Sequence, residues 1–335
     1  MANDHDSRLA LLRLQTLVAP RQRGQGDGVS EFTVVDFSLG AAGIVGSSGW
    51  VFVLQTPERG LGPALLWMNK HGLKQVNVIV ESCASADVLA RRAQLFDLDI
   101  KIWSVADNEL IAATPAQVAV PVAVPAHHLS FAEIIERAGA TVVCEHGVLG
   151  GEVLGLEVCR VVDDPLTESG ARLEIGVGVH DRELFQMINS SSPTVESLTK
   201  VVHEVLRHRH EGAEKHPLNR LGGERFLRDL LIAKPQLVGA DHLARAEPPV
   251  ARLNLKDPIP CVAMGEASGM TLVVVCSAIV DTDLVPFAAD ARLSLEPSAD
   301  LVLAVAPNNV LPSMTRLANA LHHSARFVVV DEFRR

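Results

Sequence analysis

WVFVLQTPERGLGPALLWMNKHGLKQVNVIVE, residues 50–81, decides the fold class. Its first six residues form a short apolar run of the kind that fills a buried strand. GLGPALLWMNKHG (60–72) follows with helical periodicity and a glycine stop, and VNVIVE (76–81) is a second strand. Outward from there, ADVLARRAQLFD (86–97) continues as a helix and IKIWSV (100–105) as a third strand. Apolar runs alternating with helices predict parallel βαβ units. GAAGIVGSSG (40–49), just upstream, is the expected hairpin partner of the first strand.

The order recurs near the C-terminus. TLVVVC (271–276), LVPFAADARLSL (284–295), DLVLAVA (300–306), PSMTRLANALHH (312–323) and RFVVV (326–330) read as strand, helix, strand, helix, strand, with MGEASG (264–269) as the upstream partner. The predicted class is therefore α/β, with two similar Rossmann-like βαβαβ segments forming an internal repeat around a central α+β domain. The expected boundaries are an N-terminal extension (1–29), the first segment (30–112), a Pro-rich linker (113–128), the central domain (129–235), a second linker (236–257) and the second segment (258–335).

Crossover connections put functional loops at the carboxyl ends of parallel strands. In the first segment that loop is TPERG, with Glu58 and Arg59; in the second it is SAIVDTD, with Ser277, Asp281 and Asp283. The two aspartates read first as caps of the following helix, and secondly as ligands for a hard cation such as Mg²⁺. Arg59 with Asp281 or Asp283 would form a small-anion site between the two segments. Neither loop has the glycine spacing that cradles a dinucleotide or a nucleoside triphosphate, so no such cofactor is expected.

In the middle, SFAEIIERAG (130–139) reads as a helix opened by a Ser130–Glu133 capping box. TVVCE (141–145), EVLGLEVCRVV (152–162) and ARLEIGVGVH (171–180) follow as strands, then helices start near Pro193 and Pro217. Strict alternation places Glu157 opposite Arg160, and Glu174 on a face shared with Gly176, Gly178 and His180. Glu157, Glu174, Glu145, His180 and Asp181 are the candidate ligands of a divalent metal, Mg²⁺ or Mn²⁺, with Zn²⁺ as a further fit. The favoured alternative makes these carboxylates the solvated face of a hairpin.

This α-β-β-β-α order, with acidic residues on its second and third strands, resembles the catalytic core of PD-(D/E)XK nucleases over residues 130–210. By position Glu157 matches the acidic residue of the second strand, and Glu174-Ile175-Gly176 the E-x-K of the third. The family's lysine is replaced by Gly176, so the resemblance implies a degenerate, non-cleaving relative; an intact metal-dependent phosphodiesterase using Glu157 and Glu174 is the alternative.

Bulk properties narrow the partners. A net charge of −10 argues against a large nucleic-acid footprint, and the basic run RHRHEGAEKHPLNRLGGERFLRD interleaves its cations with acids and reads as solvated helix surface. The N-terminus lacks a signal-peptide pattern and no uncharged stretch is long enough to span a membrane. Five scattered cysteines without C-x-x-C spacing suit small core positions and a cytoplasmic home. The adjacent pairs His127–His128 and His322–His323 read as surface histidines. The expected function is a homo-oligomeric binding or assembly protein.

Overall fold

The structure is a computed structural model that describes residues 4–22, 31–178, 182–183, 195–210, 216–251 and 257–333. Contacts divide the chain into two compact units. The first comprises residues 1–118, 281–293 and 310–326, and the second comprises 119–280, 294–309 and 327–335. The fold is α/β, with three sheets of six, four and five strands. Among the described residues no helix is long and apolar enough to cross a membrane.

The first unit opens with helix α1 (Asp4–Gln22) and a six-stranded sheet: β1 (Phe32–Val35), β2 (Gly40–Val45), β3 (Ser48–Val53), β4 (Gln75–Val80), β5 (Asp99–Ala106) and β6 (Glu109–Ala112). β2 and β3 form the expected hairpin, β3, β4 and β5 run parallel, and β6 returns antiparallel. Helices α2 (Leu61–Lys70) and α3 (Cys83–Ala93) make the crossovers and lie against β4 and β5. The opposite face carries Trp50, Phe52 and Ile79, and it is covered by Ala10, Leu14, Leu17 and Val18 of α1. Those four residues follow helical spacing, so the N-terminal extension supplies an apolar stripe to the core. Burial on both faces explains why β3 and β4 are nearly continuous apolar runs.

The second unit begins with two short helices, α4 (Ala126–Leu129) and α5 (Ala132–Arg137). The predicted capping box is absent: Phe131 is the N-cap of α5, and Ser130 Oγ donates to the carbonyl of His127. An antiparallel meander follows, with β7 (Thr141–Glu145), β8 (Val148–Val153), β9 (Leu156–Asp163) and β10 (Ala171–Ile175). The long strand expected over 152–162 is thus two strands. Leu154 (φ 47°) and Gly155 (φ 72°) turn the chain between them, and two consecutive positive φ angles match the twist of a two-residue hairpin. The same left-handed pair joins β5 to β6 at Asp107–Asn108 and β7 to β8 at His146–Gly147. Helix α6 (Val195–His208) packs Leu198, Val202 and Val205 against this meander with Ile135 of α5. The helix start expected at Pro193 lies outside the described residues.

Residues 217–233, read as one helix, form a 3₁₀ turn (Pro217–Arg220) and helix α7 (Gly223–Ala233), separated at Gly222 with φ 55°. The last sheet runs β11 (His242–Ala246), β12 (Cys261–Ala267), β13 (Met270–Ser277), β14 (Asp300–Val305) and β15 (Arg326–Val329). β11 lies inside the stretch expected as a linker. β12 and β13 form a hairpin through Ser268–Gly269, and β13 and β14 are parallel. Helices α8 (Leu284–Leu295) and α9 (Pro312–Asn319) occupy the crossover positions in the chain. Leu227 and Leu231 of α7 join Val238, Leu243, Val274 and Val302 in the core of this sheet.

Candidate functional site

The carboxylates on the meander are paired with arginines. Glu157 is 9% exposed; Arg182 Nη1 donates to its Oε1 at 2.8 Å and Arg160 Nη2 to its Oε2 at 3.1 Å. Arg172 donates to Glu174 at 2.8 Å and to Asp164 at 3.1 Å, and Arg182 Nε lies 3.6 Å from Glu174. For Glu157 the solvated-hairpin reading is corrected by this burial and pairing, while Glu174 stays half-buried on the partly exposed side of β10. The placement of Arg160 is corrected too, for a definite reason. The β8–β9 register shifts after Gly151, so that Glu152 pairs with Glu157 while Gly151 pairs with Cys159. Val158 is the extra residue of a bulge, which resets the alternation and brings Arg160 to the face of Glu157.

Glu145 belongs to a different cluster. Together with Glu152 it faces Arg225 and Arg228 of α7: Arg228 Nη1 donates to Glu145 at 2.7 Å, Arg228 Nη2 lies 3.3 Å from Glu152, and Arg225 bonds both carboxylates. Burial opposes ionisation of Glu152, yet Arg225 and Arg228 outweigh it and hold the carboxyl down to about 2. His180 and Asp181 lie outside the described residues. Sequence reasoning missed these arginines because it placed their stretch on a solvated surface. Instead, Arg228 and Arg209 are buried, and Arg209 donates to the carbonyls of Leu154, Leu218, Leu221 and Gly222. Their only sequence signal is the i, i+3 spacing of Arg225 and Arg228, which puts both on one helix face.

The loop residues of the first unit also meet one another. Arg59 pairs with Asp281, Asp281 Oδ1 accepts from the amide of Asp283 at 2.9 Å, and Asp283 Oδ1 accepts from the amide of Gly62 at 2.8 Å. Asp283 therefore satisfies an open donor at the start of α2, while Asp281 holds the turn that leads into the helix following it. Gly62 is required there, because a Cβ would lie 2.1 Å from the carbonyl oxygen of Thr282. Arg92 completes the cluster, reaching Asp283 at 3.3 Å, Asp290 at 2.9 Å and the carbonyl of Glu58 at 2.8 Å. Burial pushes Asp283 up to about 7 and also raises Asp281. Ser85 donates to the Glu58 carboxylate at 3.1 Å. Ser277, in the second unit, donates to the carbonyl of Ile279 at 3.0 Å. Arg59, expected to receive an anionic ligand, is occupied by Asp281.

A cleft of about 1130 Å³ opens elsewhere in the first unit. The β1–β2 connection, one side of α2 and the first turn of α9 line it, with Phe37, Leu66 and Trp67 among its apolar residues. Trp67 Nε1 donates to the carbonyl of Asp36 at 3.1 Å, which fixes the indole against the loop. Three exposed cations reach the cleft from three elements: Arg8 of α1, Lys70 of α2 and Arg316 of α9. Asp36 is the one acidic residue among its lining. α9 starts with Pro312, which has no N–H, and the Met314 and Thr315 amides donate to the Leu311 carbonyl, so its first turn offers the cleft the amide of Ser313 alone. Apart from Thr282, which lies between them, the lining is unrelated to the predicted loop residues. The cations come from positions 8, 70 and 316, and no local spacing links them.

Among the described residues, the one group of three or more metal-ligating side chains with donor atoms within 4.8 Å of one another is His127, His128 and Asp163. Glu145, Glu157 and Glu174 do not form such a group. No family model, curated protein or solved structure matches the chain.

Proposed function

We propose that the chain is a non-catalytic binding protein that holds a small organic anion in the cleft of the first unit. The observation that carries this reading is the contrast in how cations are used. Arg59, Arg91, Arg92, Arg182, Arg225 and Arg228 each hold a carboxylate. Arg8, Lys70 and Arg316 line the cleft with no acidic partner among the described residues, in a chain whose net charge is −10. An apolar lining that also carries three cations suits a ligand with a hydrophobic body and a carboxylate or phosphate head. The arginine pairs on Glu157 and Glu174 support a non-catalytic central sheet, because a hydrolase needs those oxygens available to a metal or a water. The hairpin, crossover and parallel strand shared by β2–β3–α2–β4 and β12–β13–α8–β14 support an internal repeat as the origin of the two mixed sheets.

The test is calorimetric titration of the full chain with a panel of aliphatic and aromatic carboxylates and phosphate monoesters, repeated with Lys70→Ala/Arg316→Ala. At least one class should bind saturably, weaken with added salt, and lose about tenfold or more in the double variant, roughly one charge-assisted hydrogen bond. Binding that ignores both salt and the substitutions, or no binding across the panel, overturns the reading.

A further inference from the structure

We propose that His127, His128 and Asp163 form an open binding site for a divalent transition-metal ion, Zn²⁺ above all. The two histidines lie in the one-turn helix α4, directly after the Pro-rich segment, and Asp163 is the last residue of β9. Both imidazole Nε2 atoms aim at the same carboxylate oxygen, at 3.1 Å from His127 and 2.9 Å from His128. The rings meet edge to face with centroids 4.5 Å apart, so the pair converges although its members are adjacent in sequence. Bonds of about 2.0–2.1 Å in a tetrahedral site separate the donors by about 3.3 Å. The two nitrogen–oxygen distances lie near that spacing and all three donors fall within 4.8 Å of one another, so side-chain rotations would admit an ion between them.

The chemistry of the donors selects the ion. Two imidazoles and one carboxylate suit Zn²⁺, and Ni²⁺ or Co²⁺ next, whereas Mg²⁺ and Ca²⁺ take oxygen shells. His128 is buried, while the His127 and Asp163 side chains are 45% and 77% exposed, which leaves a coordination position facing water. Nδ1 of His128 is buried without a hydrogen-bond partner among the described residues. The outer acceptor that strengthens most metal-bound histidines is therefore missing, and the site is a weak one. An ion bound there ties the end of the Pro-rich segment to the tip of β9.

The experiment is calorimetric titration of chelator-stripped full chain with Zn²⁺ alone, and with Mg²⁺ as the contrasting ion. His127→Ala and Asp163→Asn, both at exposed positions, are compared with Cys83→Ser/Cys144→Ser, which removes the exposed thiols. One Zn²⁺ per chain should bind; either ligand substitution should weaken it about tenfold or more, and the thiol variant should leave it unchanged. The melting midpoint of the metal-free chain should be the same in all three variants, and Zn²⁺ should raise it only where the ligands are intact. Absence of saturable Zn²⁺ binding, binding that survives both ligand substitutions, or binding lost with the cysteines overturns the site.

Discussion

Glu152 in the second unit and Asp283 in the first are both buried carboxylates facing arginine, yet their acidities move in opposite directions. Glu152 sits under Arg225 and Arg228, with Arg245 Nε at 3.8 Å, and is held down to about 2 despite its burial. Asp283 has one amide at 2.8 Å and one guanidinium at 3.3 Å, and burial lifts it to about 7. Arg92 is divided between Asp283 and Asp290, and the neighbouring Asp281 carboxylate pushes Asp283 further up. Arg225 and Arg228 are themselves shared with Glu145, so what decides the state of a buried acid is how many cations reach it, not whether one arginine is within contact. Glu152 is an ion bound into a network; Asp283 behaves more as a hydrogen-bonding group that fastens α2 to the 281–283 loop.

The sharpest way to break this contrast is to remove each charge while keeping the shape. Glu152→Gln leaves buried guanidinium groups short of a counter-charge and should cost about 3–5 kcal/mol. Asp283→Asn keeps an acceptor for the Gly62 amide and should cost only about 1 kcal/mol at neutral pH. Trp50, Trp67 and Trp103, the chain's three tryptophans, all lie in the first unit, so urea unfolding followed by fluorescence reports that unit. Amide exchange in β8 reports the second, and using both avoids treating two units as one transition. Equal costs at the two positions would show that burial alone, not the number of cations in reach, sets the energetics.

Acidity sharpens the same comparison with a smaller effect at any one pH. The native value of Glu152 lies below its ordinary 4.5, so its contribution is present above that value and lost as pH falls towards 2. Asp283 is raised from 3.8 to about 7, so the folded state binds the proton more tightly than the unfolded chain. Its contribution is complete below 3.8 and declines as pH rises through 7. The deficit of Glu152→Gln should therefore shrink on acidification, and that of Asp283→Asn on going from pH 5 to pH 8. Parallel stability curves for wild type and Asp283→Asn over that range would refute the elevated acidity.

Much of this frame was legible in the sequence. The runs at 50–55, 76–81, 271–276 and 300–306 became strands because apolar residues are buried on both faces of a covered sheet, a signal that needs no long-range information. The glycine-containing segments at 40–49 and 264–269 proved to be hairpin partners. What failed was the reading of the meander: Leu154 carries no turn chemistry, and the bulge at Val158 has no local signature, so a two-residue period ran straight through both. The arginine pairs were hidden for another reason. Arg225 and Arg228 look like surface charge in a mixed run, and only the distant Glu145 and Glu152 make their burial affordable. The cleft was invisible in the same way, since its cations meet only after α1, α2 and α9 are placed.

The smallest expected effect is the most useful control on the opening contrast. Arg13 Nη1 and Glu81 Oε1 stand 2.7 Å apart, closer than most of the buried pairs, but their side chains are 45% and 55% exposed. If the number of cations in reach matters only where water is excluded, distance by itself should contribute little here, because solvent screens the pair and ordering two long side chains offsets the attraction. Arg13→Ala alone is ambiguous, since the guanidinium also lies 5.8 Å from the centre of the Phe52 ring. A double-mutant cycle with Glu81→Ala isolates the ionic part and should give about 0.5 kcal/mol or less, falling further in high salt. A coupling as large as that expected for Glu152 with Arg225 would mean that contact geometry, rather than exclusion of water, governs both. The opposite acidities of Glu152 and Asp283 would then need another cause.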